Sequence, residues 1–363
     1  MTEFTPLSIR SISVRPVVVP LVRPVRTASG NVLEAPLILV DVLTEEGITG
    51  RGYVFAYSAL MLRSIVQFLR EIAPELVGRS VSPRARMRQL ESRLKLVGWQ
   101  GFAGMAVGAV DMALWDALAC AMELPLVALL GSEPRALPAY DSYGILDPRR
   151  DLPWLEQSVA SGFRAVKIKI GAGEVSDDVA LVAAVRKAIG PEARLMIDFN
   201  QSQTTVSAIE RTRRLQEFDL TWVEEPVAAD DLRGHRAVRE GIAPIPIQTG
   251  ENWWFPQGMA NAIAAGACDL AMIDIMKIGG ITGWISAMAQ AEAASLPLSS
   301  HMFVEASAHT LAASPTASWF EYLDLAGPIL TQPMRPVDGT VCPRGPGIGL
   351  VWDEEAVARY ACA

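Results

Sequence analysis

Along residues 163–170 (FRAVKIKI) apolar and charged positions alternate. On a strand, Val166, Ile168 and Ile170 take one face and Lys167 and Lys169 the other. Short strand-like runs recur from residue 137 onward: LPAYDSY, FRAVKIKI, RLMIDFN, LTWVEE, IPIQTGE, LAMIDI, LPLSSH and SWFEYLD. Stretches of helical spacing such as DDVALVAAVRKAIG and AIERTRRLQEF lie between them. Strands alternating with helices predict parallel pairing through right-handed crossovers. Eight such runs in this length suit a (β/α)8 barrel. A doubly wound open sheet is the competing architecture, but no GxGxxG follows the first strand.

The opening third has a different rhythm. Residues 9–20 and 36–43 have the pattern of strands, and TEEGITGRGYVF that of a hairpin return. RPVRTASGNVLEAP between them carries the turn residues of a mobile loop. Residues 59–130 are mostly helical, including AVGAVDMALWDALACAMELPLVALLG. After residue 330 the Pro- and Gly-rich QPMRPVDGTVCPRGPGIGLVW predicts irregular chain packing back on the first third. The expected division is 1–133, an α+β unit; 134–328, the barrel; and 329–363, a returning segment.

Composition narrows the function classes. Half of the 363 residues are hydrophobic, and the formal net charge of -8 argues against a general nucleic-acid or anionic-membrane binder. No continuous apolar run reaches the ~18 residues of a membrane helix. MTEFTPLSIRSISVRPVVVP lacks a signal-like apolar region. Cys120, Cys268, Cys342 and Cys362 follow no metal or disulfide spacing, so reduced thiols and a cytoplasmic setting are expected.

The strand ends carry the chemistry. Successive runs end at Lys167 and Lys169, Asp198 and Asn200, Glu224, Glu251, Asp274, His301 and Glu321. In a barrel these positions converge on one mouth. A lone acid there is more often a helix cap, and Glu225, Asn252 and Asp324 are expected to be caps. Asp198, Glu224 and Glu251 end three consecutive strands, and adjacent strands lie about 4.8 Å apart. Three carboxylates so gathered repel unless a hard cation joins them, and Mg²⁺ suits three oxygen ligands with open positions. The alternative is a salt-bridge network with Lys167, Lys169 and Lys277. Repulsion and burial should lower the lysine pKa values, so that one amine serves as a base. Asp274 can accept from the His301 ring. His235 and His309 are expected to be structural. KIGG, residues 277–280, has the form of a tight loop or a phosphate turn.

Taken together, KIK, IDFN, VEEP, TGEN, MKIGGITGW, SSHMFVEASAH, YLDLAG and the earlier AVDMALWDALA resemble the enolase superfamily, mandelate racemase subgroup. The resemblance covers essentially the whole chain. It implies a modified TIM barrel, (β/α)7β, with an α+β capping domain from the N-terminal third and C-terminal tail. It makes Asp198, Glu224 and Glu251 ligands of Mg²⁺, Lys169 the base on one face of a carboxylate substrate, and His301 with Asp274 the base on the other. Lys167 would assist one substrate carboxylate oxygen and Glu321, protonated, would donate to the other. Ser142, Asn200 and Lys277 would support the site. Val25, Val32, Tyr57, Leu96, Met302 and Leu323 would surround the substrate side chain and favour an aryl or alkyl 2-hydroxy acid. Tyr143, Ser29 and Met302 depart from the mandelate enzyme's pattern. The expected reaction is racemisation through an enediolate. An acid-sugar dehydratase is the alternative, for which Arg23, Arg26 and Asn31 could reach the pocket. A cycloisomerase fits less well, because that subgroup has a Lys where Asp274 lies. A non-catalytic binding barrel is the remaining option. The resemblance also implies a homo-oligomer, an octamer among the candidates.

Overall fold

The structure, a computed structural model, describes residues 7–27 and 30–362. A three-stranded antiparallel sheet opens the chain: β1 (Ile9–Thr27), β2 (Gly30–Thr44) and β3 (Thr49–Phe55). Helices α1 (Ala59–Leu76), α2 (Pro83–Leu94), α3 (Phe102–Ala121) and the short α4 (Leu126–Leu129) follow. By length and composition α3 could cross a membrane, but 83% of its apolar window is buried inside the protein. Its two acids are buried ties. Asp116 accepts the N–H groups of Arg51 (2.8 Å) and Ile348 (2.6 Å), joining the sheet to the tail.

The expected mobile loop is instead an extended arm. Val25 pairs with Val32, Arg26 with Asn31 and Thr27 with Gly30, after a register shift between Pro20 and Val25. Tertiary contacts account for the difference. Arg23 donates to Asp141, including one bond of 2.9 Å, and Arg26 donates to Asp151 at 2.8 Å. Gly144 lets the arm lie directly on the barrel, since a Cβ there would sit 2.4 Å from the Arg26 nitrogen.

Seven strand–helix units then build the barrel. They are β4 (Leu137–Ile145) with α5 (Leu152–Ala160), β5 (Ala165–Lys169) with α6 (Val175–Ile189), and β6 (Arg194–Asp198) with α7 (Thr205–Arg213). Next come β7 (Leu220–Glu224) with α8 (Leu232–Ile242), β8 (Ile247–Thr249) with α9 (Phe255–Ala265), β9 (Leu270–Asp274) with α10 (Gly280–Ala293), and β10 (Leu298–His301) with α11 (Val304–Ala313). The last strand, β11 (Phe320–Tyr322), has no α-helix directly after it. Strands run parallel in the order β10-β9-β8-β7-β6-β5-β4-β11. A parallel bridge between Leu298 and Ala317, with Ser318 N–H on the Leu298 carbonyl at 2.7 Å, brings β10 beside the approach to β11. This is the (β/α)7β pattern.

The tail is more regular than its composition predicts. β12 (Thr340–Val341) pairs antiparallel with β4, and α12 (Glu354–Tyr360) starts where the Asp353 carboxylate accepts the N–H groups of Glu355 and Ala356 at 3.1 Å. Val17 bridges Ala361, and Trp352 Nε1 donates to Asp41 at 2.7 Å. The tail thus returns to the N-terminal sheet.

Candidate active site

Strand register assembles the site. Lys169 is level with Asp198, Asp198 with Glu224, and Glu224 with Gln248, across four neighbouring strands. On the far side His301 is level with Asp274. Glu251 follows Gly250, whose φ of +137° and close approach to the Met272 carbonyl exclude a side chain. The turn brings Glu251 to the other two acids, and ligand oxygens of Asp198, Glu224 and Glu251 lie within 4.8 Å of one another. Tyr140, Ala165, Met196 and Trp222 fill the barrel beneath as a separate apolar cluster. From that floor Trp222 Nε1 donates to Glu224 Oε2 at 3.2 Å, as does Gln248 Nε2 at 3.3 Å.

Each triad member meets a different cation. Lys169 pairs with Asp198. Lys167 Nζ lies 2.5 Å from Glu224 Oε1 and 2.9 Å from Glu321 Oε1. His301 Nε2 lies 3.2 Å from Glu251 Oε2, while its Nδ1 contacts Asp274 Oδ2 at 2.7 Å. Ser142 Oγ and the Met302 N–H donate to Glu321 at 2.8 and 3.0 Å. Asn200 contributes its backbone N–H to Asp198 Oδ1 at 2.6 Å.

One electrostatic expectation is corrected. Burial works against the charge on both lysines, but Glu224 and Glu321 hold Lys167 above its ordinary pKa, and Asp198 and Glu251 do the same for Lys169. The acids outnumber the cations they face, so attraction exceeds the lysines' mutual repulsion. Glu321 is surrounded by donors: Lys167, Ser142 and the Met302 N–H. Burial raises it, but Lys167, His301 and Ser142 together hold it down at about 2, so it accepts. Burial likewise opposes His301, yet Glu251, Glu321 and Asp274 lift it to about 9.

Glu225 and Asn252 are not helix caps. Asn252 Nδ2 lies 2.9 Å from both Glu225 oxygens and 3.2 Å from Glu251 Oε1, and Lys277 Nζ donates to Asn252 Oδ1 at 2.6 Å. Lys277 also stands 4.8 Å over the Tyr57 ring. The adjacency of these polar residues to two of the three triad acids was the available signal. Asp324 is not the N-cap either: that position of the 3-10 turn Gly327–Ile329 is Ala326, and Asp324, two residues earlier, accepts the Gly327 N–H at 2.6 Å.

The arm's polar groups serve the fold. Tyr143 lies on the face of β4 opposite Ser142; its hydroxyl meets Asp141 Oδ2 at 3.0 Å and its ring lies under Arg23 at 4.2 Å. Val25 and Leu323 line a cavity of about 420 Å³ that reaches Ser142 but is also lined by Arg23, Arg26, Asp141 and Asp151, and not by the triad, Lys169 or His301. Leu96 is fully exposed, away from this cavity, and Ser29 lies outside the described residues. KIGG is not a phosphate turn, because the Asp111 carboxylate accepts from Thr282 N (2.8 Å) and Oγ1 (2.6 Å) at the start of α10. His235 and His309 are buried on α8 and α11.

Two family profiles match. The one described as "Mandelate racemase / muconate lactonizing enzyme, N-terminal domain" covers residues 9–131, and "Enolase C-terminal domain-like" covers 153–356. The chain belongs to the enolase superfamily, in its mandelate racemase subgroup. A superfamily structure from Bradyrhizobium, complexed with magnesium and mandelic acid, is 49% identical, with a TM-score of 0.96 over 99% of this chain and 100% of that one. The 3,6-anhydro-alpha-L-galactonate cycloisomerase of Streptomyces coelicolor is 33% identical over 92% of this chain and 93% of its own. The L-talarate/galactarate dehydratase of Salmonella typhimurium is 29% identical over 89% and 82%. The superfamily is Mg²⁺-dependent, and its characterised relatives include isomerases and dehydratases.

The residues present fit such an ion. Asp198, Glu224, Glu225, Glu251, Asp274 and Glu321 are six buried acids, against the four cations Lys167, Lys169, Lys277 and protonated His301. Burial and the repulsion of Asp198, Glu251 and Glu321 push Glu224 up to about 8 against the pull of Lys167, a crowding that a divalent cation relieves. The triad offers only carboxylate oxygen, the donor type a hard cation prefers.

Proposed function

We propose that this enzyme racemises a 2-hydroxy acid with an aryl or alkyl side chain, by moving the proton α to the carboxylate. The observation that carries the proposal is the placement of two bases. Lys169 contacts Asp198 and His301 contacts Glu251, at different members of the triad. A substrate held at the triad would lie between amine and imidazole. The acids around them hold both protonated, so one must first lose its proton, as it would once a bound cation takes up those acids. It then removes the α-proton while the other delivers one to the opposite face.

Asp198, Glu224 and Glu251 would hold Mg²⁺, which when bound supplies positive charge to a substrate carboxylate whose deprotonation makes an enediolate. The chain's own groups do the rest. Lys167 presents its ammonium to one carboxylate oxygen. Glu321 faces the other, and it must carry a proton when the substrate is bound, because two anionic carboxylates cannot share that contact. Asp274 fixes the His301 ring through Nδ1, so that Nε2, which lies beside Glu251 Oε2, is the nitrogen turned toward the triad and a substrate there. The mandelic acid held by the 49% identical Bradyrhizobium structure supports an aryl side chain. Arg23 and Arg26 are engaged by Asp141 and Asp151, which removes the cations an acid sugar would most readily use.

Acid-sugar dehydration is the second reading, supported by the likeness to the L-talarate/galactarate dehydratase. Incubation of mandelate, lactate and a panel of acid sugars in D₂O with Mg²⁺ separates the two. Loss of optical activity with α-deuterium in both enantiomers is expected. A 2-keto-3-deoxy product without racemisation would overturn racemisation in favour of dehydration. We further propose a cytoplasmic homo-oligomer, in keeping with four free cysteines and with Leu60, Leu96 and Val97 exposed on the N-terminal unit.

A further inference from the structure

We propose that Asn252 is a positioning residue that aims Glu251 at the cation site; this rests on the triad being a metal site. An ammonium can only donate, so the Asn252 atom 2.6 Å from Lys277 Nζ is its oxygen, and the amide nitrogen faces the acids. That nitrogen lies 3.2 Å from Glu251 Oε1, while His301 Nε2 lies 3.2 Å from Glu251 Oε2. Each oxygen of Glu251 therefore has one nitrogen partner, and rotation of the carboxylate loses one or both.

Asn252 is itself fixed from two sides. Its nitrogen spans both oxygens of Glu225 at 2.9 Å, and its oxygen is held by Lys277. Glu225 is fully buried, and among the described residues its carboxylate receives hydrogen bonds from Asn252 alone. A buried acid with a single neutral donor is costly as a purely structural element. Its placement makes sense as one jaw of a clamp, with Lys277 as the other and the amide between them. The clamp sets the amide plane, and the amide sets the ligand. Support of this kind for a ligand is commonly worth 10–100-fold in metal affinity.

The test removes the amide without changing charge. Glu225→Gln keeps Asn252 and relieves the buried acid; Glu225→Gln with Asn252→Leu then deletes the amide in a neutral background. Mg²⁺ affinity is measured by calorimetric titration of the full chain, with thermal unfolding as the control for folding. The double variant is expected to bind about 10–100-fold more weakly than the single. Should Leu not fold, Asn252→Ala in the same background is compared instead. Equal affinity in two folded variants overturns this inference alone. A wild-type chain that takes up no Mg²⁺ overturns the metal reading of the triad as well.

Discussion

On the capping arm, Arg23 meets Asp141, and Arg26 meets Asp151, which exposed Arg150 also reaches. At the barrel mouth six acids meet four cations. The two regions adjoin on β4, where Asp141 and Ser142 point to opposite faces, yet they balance charge differently. The arm's pairs are complete within the chain, so they hold the fold without a guest. At the mouth, burial and neighbouring acids push Glu224 up to about 8, a crowding that a guest cation relieves. Polar residues near a site thus divide by whether the chain itself satisfies them. By that criterion Tyr143, Arg23 and Arg26 belong to the scaffold, and Asp198, Glu224 and Glu251 do not.

The sharpest way to break the comparison is at the two bases. Lys169→Met and His301→Asn should each cut α-proton exchange for one enantiomer by on the order of 10²–10⁴-fold. Exchange of the other enantiomer should persist, read by mass spectrometry in D₂O. Total and equal loss for both enantiomers in both variants counts against the opposed placement.

The arm should respond in stability instead. Arg23→Met leaves Asp141 buried with only hydroxyl donors, from Tyr143 and Ser158. The expected loss is about 3 kcal/mol in urea unfolding, at the low end for a broken buried pair. Adding Asp141→Leu should recover most of it, since removing both partners leaves nothing unsatisfied. Both variants should keep the Mg²⁺-dependent stabilisation of wild type, about 2.7 kcal/mol at 100 times the dissociation constant. Asp198→Asn should shrink it. A Mg²⁺ effect lost with the arm but kept without Asp198 would reverse the assignment of the two regions.

A neutral contact supplies a third case. His309 Nδ1 accepts the Val127 N–H at 3.2 Å, and Nε2 faces the Arg344 carbonyl at 3.2 Å, so the fold demands one uncharged tautomer. Burial, only partly offset by Arg344, lowers its pKa to about 4. The unfolded chain then binds more protons between pH 6.5 and 4, and stability falls as pH falls through that window, by at most about 3 kcal/mol. His309→Gln, which keeps an acceptor and a donor, should flatten that part of the stability–pH curve. An unchanged slope in the variant would place the acid sensitivity elsewhere.

Much of this was legible beforehand. All eight strand-like runs contain strands, because alternating β and helical patterns reflect burial on both faces of a parallel sheet. The polar strand ends were visible for the same reason: acids at such positions interrupt an otherwise apolar run. The arm was not legible, since RPVRTASGNVLEAP has turn composition and its order comes from acids more than a hundred residues away. The Asn252 clamp was hidden because an amide after a strand has the local appearance of a cap.

By itself the sequence determined the alternation of elements, the set of acids, amines and imidazole at the strand ends, and the family. These follow from periodicity and from side-chain type, which are properties of short stretches. Tertiary structure alone decided which charges find partners. That depends on strand register, on Gly250 turning Glu251 inward, and on which face of β4 each residue takes, so that chemically similar residues became scaffold in one place and site in another.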